Sequence, residues 1–320
     1  MVSSAATRVA ARLEAGLDEV LGDAHRRGPG GPGRSADLRR DRLVIRSHDL
    51  LEPCPRRASR PADDYEDRVV TTRRRVGLLV LRRLWGEAPP VPPRGWRVDP
   101  GALGPTVRAV FDTPDVWPLQ LWEWTRSLDQ AGRAALAAGV VTWCDGVIRL
   151  VGTARDVSWC DPSLPIRRDV PGRAVGLAAT LDATRRTMEG ERLLVVTGAA
   201  SPTARRVLAG QAVLVRTAVA RRDRVARVTL AMPPSGQLEH HVVDDALLDL
   251  AVDRVVEHAA LRVRPDDAPP RPSRSCVHCH LLDECDAGSE HLGCRPGVVA
   301  GPAAGRPVDD QDRRHQGTST

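Results

Sequence analysis

Four cysteines constrain this chain more than any other feature. Cys276, Cys279 and Cys285 stand in a C-x2-C-x5-C spacing, and Cys54 lies far upstream in Ser47-His48-Asp49-Leu50-Leu51-Glu52-Pro53-Cys54-Pro55-Arg56-Arg57. Four thiolates can hold a tetrahedral metal or a cubane iron–sulfur cluster. Here they would come from the two ends of one folding unit, with 221 residues between Cys54 and Cys276. Treated as a covalent cross-link of that span, such a clip stabilises by roughly 5 kcal/mol at most. That is comparable with the net stability of a whole domain. A metal held in this way is structural first.

Zinc is the rival to iron, with Cys54, Cys294, His278, His280 or His291 as fourth ligand. A wholly local set of Cys276, Cys279, Cys285 and Cys294 would leave Cys54 a bystander. The run Cys276-Val277-His278-Cys279-His280 also matches the C-x-x-C-H haem-attachment motif, but that reading leaves Cys285 and Cys54 unused. Cys144 and Cys160 follow tryptophans and read as small buried apolar residues.

At 320 residues and 42% hydrophobic, the chain can build an ordinary core. All 47 of its basic residues other than histidine are arginine, so no mechanism here can use a lysine. The net charge of +6 is uneven: residues 1–100 carry 20 arginines against 14 acids, and the remainder carries 27 of each. Arginine forks bind phosphate well, which points to a nucleic-acid-facing N-terminal third. Arg56, Arg57, Arg73, Arg74 and Arg75 are the candidate contacts. Aromatic residues are too few for a stacking platform. No apolar run is expected to reach a membrane span, no signal-peptide core is read, and the chain is expected to be cytoplasmic with no membrane partner.

The apolar period predicts helices over 4–21 and 73–85, and a third opened by Asp112 and Pro114 that carries Trp117, Leu121, Trp124 and Leu128 as core. Val140–Trp143 and Val147–Val151 around Asp145-Gly146 read as a hairpin. Strands are predicted near 155–159, 175–181, 193–196, 225–232 and 240–243. Between them Ser201-Pro202 and Asp244-Asp245 open two further helices. The predicted domains are 1–40 (helix and Gly/Pro/Arg linker), 41–294 (the folded body with the metal cysteines) and 295–320 (a disordered tail).

This order, with Cys-Pro-Arg-Arg upstream and C-x2-C-x5-C downstream, resembles the RecB-like branch of the PD-(D/E)XK nucleases, in its AddB-type and CRISPR-adaptation members. The resemblance implies an α/β fold, a mixed central sheet flanked by helices, with an N-terminal helical region and a C-terminal cysteine cluster. It also implies that Cys54, Cys276, Cys279 and Cys285 bind a 4Fe-4S cluster, with Zn²⁺ the alternative. The family's helix histidine falls on Val80, three residues after Gly77. Its first carboxylate matches Asp182. Its second carboxylate falls on Leu194 or Val195, its lysine on Val196 or Thr197, and its Gln-x-x-x-Tyr motif keeps Gln211 but not the tyrosine.

Mg²⁺ needs several converging oxygens, so Asp182 alone is a poor site. The cutting centre is read as lost, with no catalytic residue; Asp182 is either a relic ligand facing a cleft or, the preferred reading, an ordinary solvated strand-end aspartate. The expected function is non-catalytic: binding DNA, or a helicase or repair protein. Two other readings compete. One is an active nuclease in which Glu189 or Glu191 joins Asp182, and the other is a structural or redox module without nucleic acid.

Overall fold

The computed structural model describes residues 4–26, 43–60, 68–86, 99–113, 117, 119–151, 157–160, 166–199, 201–217, 225–273, 276–277 and 279–293. The predicted linker at 28–33, the tail at 295–320, His278 and Cys294 lie outside them. The chain divides into two compact units, Met1–Pro269 and Pro270–Thr320.

The first unit holds eight helices among its described residues: α1 (Ser4–Arg26), α2 (Pro55–Ser59), α3 (Arg68–Gly86), α4 (Pro100–Phe111), α5 (Leu119–Ser127), α6 (Gln130–Val151), α7 (Pro202–Arg216) and α8 (Asp245–Val263). Its strands are β1 (Leu43–Arg46), β2 (Val157–Trp159), β3 (Ile166–Asp169), β4 (Val175–Ala179), β5 (Ala183–Thr187), β6 (Gly190–Val196), β7 (Val225–Met232) and β8 (Gln237–Val242). They form two mixed sheets, in the orders β1-β4-β3 and β2-β5-β6-β7-β8. In the larger sheet β2, β5 and β6 are antiparallel, α7 crosses over, and β7 returns parallel to β6. The α/β class with mixed sheets and flanking helices is therefore the one expected.

Strand β6 is apolar because both of its faces are covered. Leu193 and Val195 enter a core with α1, α7 and α8, and Leu194 and Val196 enter a second core with α3, α4 and α6. A strand covered on both sides reads as a continuous hydrophobic run. Helix α1 joins the first core through Val9, Leu13, Leu17 and Val20, spaced for one helical face.

The helix starts follow their caps. Ser201 accepts from the Ala204 N–H before Pro202, and Asp244 accepts from Leu247 N at 2.8 Å. Asp99 accepts from Gly101 N at 2.9 Å before Pro100. That cap starts α4 within a stretch rich in proline and glycine. The helix expected to open at Asp112 instead begins at Leu119, and Trp117 lies outside it. Trp117 is still core: it is buried, and its Nε1 donates to Val110 O at 2.9 Å.

The predicted hairpin around Asp145-Gly146 is wrong. Residues 130–151 are one helix, burying Leu136, Val140, Cys144 and Val147 at helical spacing. Asp145 pairs with Arg149 one turn on, and Gly146 lets the helix approach Pro233. Helix propagation from the alanine-rich start carries through the Asp-Gly pair. By length and composition α6 is also long and apolar enough to cross a membrane, contrary to the expectation that no run was.

Two glycines set helix spacing. A Cβ on Gly77 would sit 2.4 Å from the Trp143 ring, so the family-like glycine serves the contact between α3 and α6. A Cβ on Gly210 would lie 2.7 Å from Leu247 O, where backbone must yield. Gly210→Ala is expected to push α7 from α8 and cost about 1–3 kcal/mol, read as a lowered urea midpoint with unchanged slope.

Candidate metal centre and the Asp182 site

In the second unit the cysteines are presented by a run of tight turns. Cys276 N donates to Ser273 O, Cys279 N to Cys276 O, Leu282 N to Cys279 O and Cys285 N to Leu282 O, each between 3.0 and 3.1 Å. Cys285 then caps the short helix α9 (Asp286–His291), its carbonyl accepting from Gly288 N and Ser289 N. The Sγ atoms of Cys285 and Cys276 stand 3.4 and 3.7 Å from the point a Cβ on Gly288 would occupy. Both thiols therefore lie at ordinary van der Waals distance from the same point beside Gly288. The Ser273 N–H donates to Cys276 Sγ at 3.3 Å. These features suit a soft-metal ligand pair. None of the described cysteines is in a disulfide. Among the described residues no three Cys, His, Asp or Glu side chains converge closely enough to hold an ion.

Cys54 belongs to the first unit, where it caps α2 and is half-buried. Its N–H donates to Glu52 Oε1 at 3.2 Å. Helix α2 is tied to the segment that follows α8: Arg60 binds Asp266 at 2.5 Å, and Ser59 Oγ donates to Pro265 O at 3.4 Å.

Asp182 is not the solvated aspartate expected from its place near a strand end. It is fully buried. Its Oδ1 accepts from Arg74 at 2.6 Å and its Oδ2 from Val196 N at 2.7 Å. The chain leaves β4 at Ala179 and enters β5 of the other sheet at Ala183, and this crossing draws the side chain inside. Burial pushes the Asp182 carboxyl up from its ordinary value, while Arg74 and the Val196 N–H pull it back down. Since Arg74 stands on α3, Asp182 faces the same core as Leu194 and Val196, and Val195 faces the other.

The other acids are engaged elsewhere. Glu191 is held by two bonds from Arg216, at 2.6 and 2.7 Å, and Glu189 by Arg192 at 2.8 Å. Burial, then the Asp182 charge, raises the Cys160 thiol to about 11, so it stays protonated and inert at neutral pH. Gln211 is fully buried on α7, where its Nε2 donates to Ala178 O at 3.2 Å and its Oε1 has no partner. Val80 is core.

The arginine set is only partly surface. Arg74 serves Asp182, and Arg57 pairs with Glu52 at 3.3 Å. The Arg73 stem lies against Gly139 of α6. Consecutive helical residues point about 100° apart. The run Arg73-Arg74-Arg75 therefore cannot form one patch. Arg56 and Arg75 are half-buried.

A buried polar group near β1 was not read from the sequence. Asp49 accepts from Arg46 N at 2.8 Å and pairs with His48 at 3.2 Å. Burial alone would raise this carboxyl, but those partners hold it below its ordinary value. Burial pushes the nearby His258 imidazole down to about 4, against the opposing charge of Asp49, and its Nε2 has no partner.

No family model matches the chain, and no curated protein matches it.

Two outcomes are expected. Asp182→Ala strands the part-buried Arg74 guanidinium and costs about 2–4 kcal/mol, read by denaturant unfolding. Asp182→Asn, whose Oδ1 can still accept from one of the two donors and whose volume is unchanged, costs less. For His258, the folded imidazole is neutral where the unfolded one protonates. Its stabilisation is full above pH 6.5 and is lost as pH falls toward about 4, by about 3 kcal/mol at most. His258→Gln should flatten the melting temperature across that window.

Proposed function

We propose that the chain is a RecB-like PD-(D/E)XK protein without a cutting centre. In this reading Cys54, Cys276, Cys279 and Cys285 hold a 4Fe-4S cluster, and the protein binds DNA or a DNA-repair partner such as a helicase. The observation that carries it is the state of the Asp182 site. The order of the larger sheet supports this reading: three antiparallel strands, a crossover helix, then a parallel return. At the place where this order would put paired carboxylates and a lysine, the chain has a buried aspartate neutralised by Arg74, with Leu194 and Val196 filling the same face. A guanidinium there supplies positive charge but no coordination site for attacking water. The retained fold with a filled centre fits binding rather than hydrolysis.

Support for the cluster is the Cys276–Cys285 pair over Gly288 and the docking of α2, just after Cys54, on Pro265 and Asp266. The cluster, when bound, supplies a cross-link between chain ends. Arg56, Arg73 and Arg75 are the proposed phosphate contacts.

Anaerobically purified protein is expected to contain iron and acid-labile sulfide in equal amounts and little zinc. Cys285→Ser and Cys54→Ser should each lose iron and melt lower. Mn²⁺ should elicit no cutting of linear DNA, and DNA affinity should fall steeply with salt. Stoichiometric zinc, or iron retained in both variants, would overturn the cluster assignment; Mn²⁺-dependent cutting abolished by Asp182→Asn would overturn the loss of the centre.

A further inference from the structure

Strand β8 ends the larger sheet, and among the described residues β7 is its one pairing strand. The strand at the other edge, β2, is three residues long, whereas β8 runs for six in unbroken register with β7. Sheet edges are ordinarily guarded by shortness, by proline or lysine, or by a bulge. β8 has none of these.

Backbone geometry decides which residues this edge offers. In an antiparallel ladder, pairs that exchange hydrogen bonds alternate with pairs that do not. Val243 N donates to Ala226 O at 3.4 Å, one step beyond the pair Arg227 and Val242. The odd-numbered residues of β8 therefore turn their N–H and C=O groups toward β7. Leu238, His240 and Val242 turn theirs outward. The same three residues have exposed side chains, while Glu239 and His241 on the other face are half-buried. Leu238 is 39% exposed and Val242 63%, two of the four exposed large apolar side chains among the described residues. Glu239 is fixed on its own face by Arg205 of α7 at 2.5 Å.

We propose that β8 pairs with β8 of a second copy of this chain, antiparallel about a two-fold axis at His240. Outward main-chain groups bond only to other outward groups, so even-numbered residues must face even-numbered ones. With the axis at His240, Leu238 bonds Val242 of the second copy, Val242 bonds its Leu238, and the two His240 residues bond each other. Each exposed apolar side chain then gains an apolar neighbour on the same face, with Cβ atoms about 5 Å apart. On the opposite face Glu239 lies across from His241 of the second copy. An axis at Glu239 would instead set two carboxylates against each other, and an axis at His241 would carry Leu238 past the end of the facing strand. The His240 ring is drawn back toward β7 by Thr229, Oγ1 to Nδ1 at 3.0 Å, which leaves the axis clear. This pairing consumes both edges, so assembly closes at a dimer whose sheet is continuous through the two copies. No cysteine and no residue of the Asp182 site takes part, so the pairing depends neither on the cluster nor on DNA binding.

Sedimentation velocity of the full chain over about 1–200 µM tests it. A six-residue strand is about 20 Å long. That contact is short of a standard interface, so half-dissociation is expected at roughly 10 µM. Leu238→Asp and Val242→Arg, each at an exposed position and each with the melting temperature of the dilute monomer unchanged, should weaken the dimer by about tenfold or more. The double variant places opposite charges in both cross-axis pairs and should recover dimerisation. Within one copy the two positions are about 13 Å apart, so the recovery has to come from the second copy. A monomer throughout the range, which is also the result expected if a different protein covers the edge, would overturn the pairing. So would a dimer that both single variants leave unchanged, or a double variant as weak as the single ones.

Discussion

Strand β6 is covered on both faces, and that double burial organises the rest of the first unit. With Leu193 and Val195 committed to α1, α7 and α8, and Leu194 and Val196 to α3, α4 and α6, the strand has no face left for solvent. Any charge placed beside it must be answered internally. Asp182 is answered by Arg74 and by the Val196 N–H. The cost of desolvating the carboxylate is offset only because both partners are in place, as expected for a buried ionic group. The same apolar commitment that makes β6 a good central strand leaves residues 193–196 with no side-chain oxygen and no charge.

Arginine carries unequal work along the chain. Some of it is structural: Arg74 on Asp182, Arg216 on Glu191, and Arg60 on Asp266 all fasten separate elements together. Some crowds one surface, where Arg185, Arg192 and Arg227 meet across three strands. Counting arginines in the N-terminal third thus overstates the charge offered to a phosphate backbone, because Arg57 and Arg74 are already paired.

Much of the fold was legible in the chain itself. The caps at Ser201 and Asp244, the apolar run at 193–196 and the helical stripe of α1 all form what their periodicity and end residues specify, since those signals are local. Two readings failed for non-local reasons. Asp145-Gly146 looks like a hairpin, yet contact with α3 and Pro233 makes it mid-helix. Asp182 looks like a strand-end aspartate, yet the step from one sheet to the other turns it inward. The candidate site was legible as residue types more than as an arrangement. The Cys276–Cys285 pairing over Gly288 follows from close spacing and tight turns. The Arg74–Asp182 pair joins residues 108 apart and carries no local mark.

The sequence by itself determined that no lysine is available anywhere in the chain and that residues 193–196 are a continuous apolar run. It also determined where soft-metal ligands can come from. Tertiary structure alone decided which charges face one another. Cross-strand register and helix rotation set those partners, and both are fixed by packing summed over the whole core, which no short stretch of residues encodes.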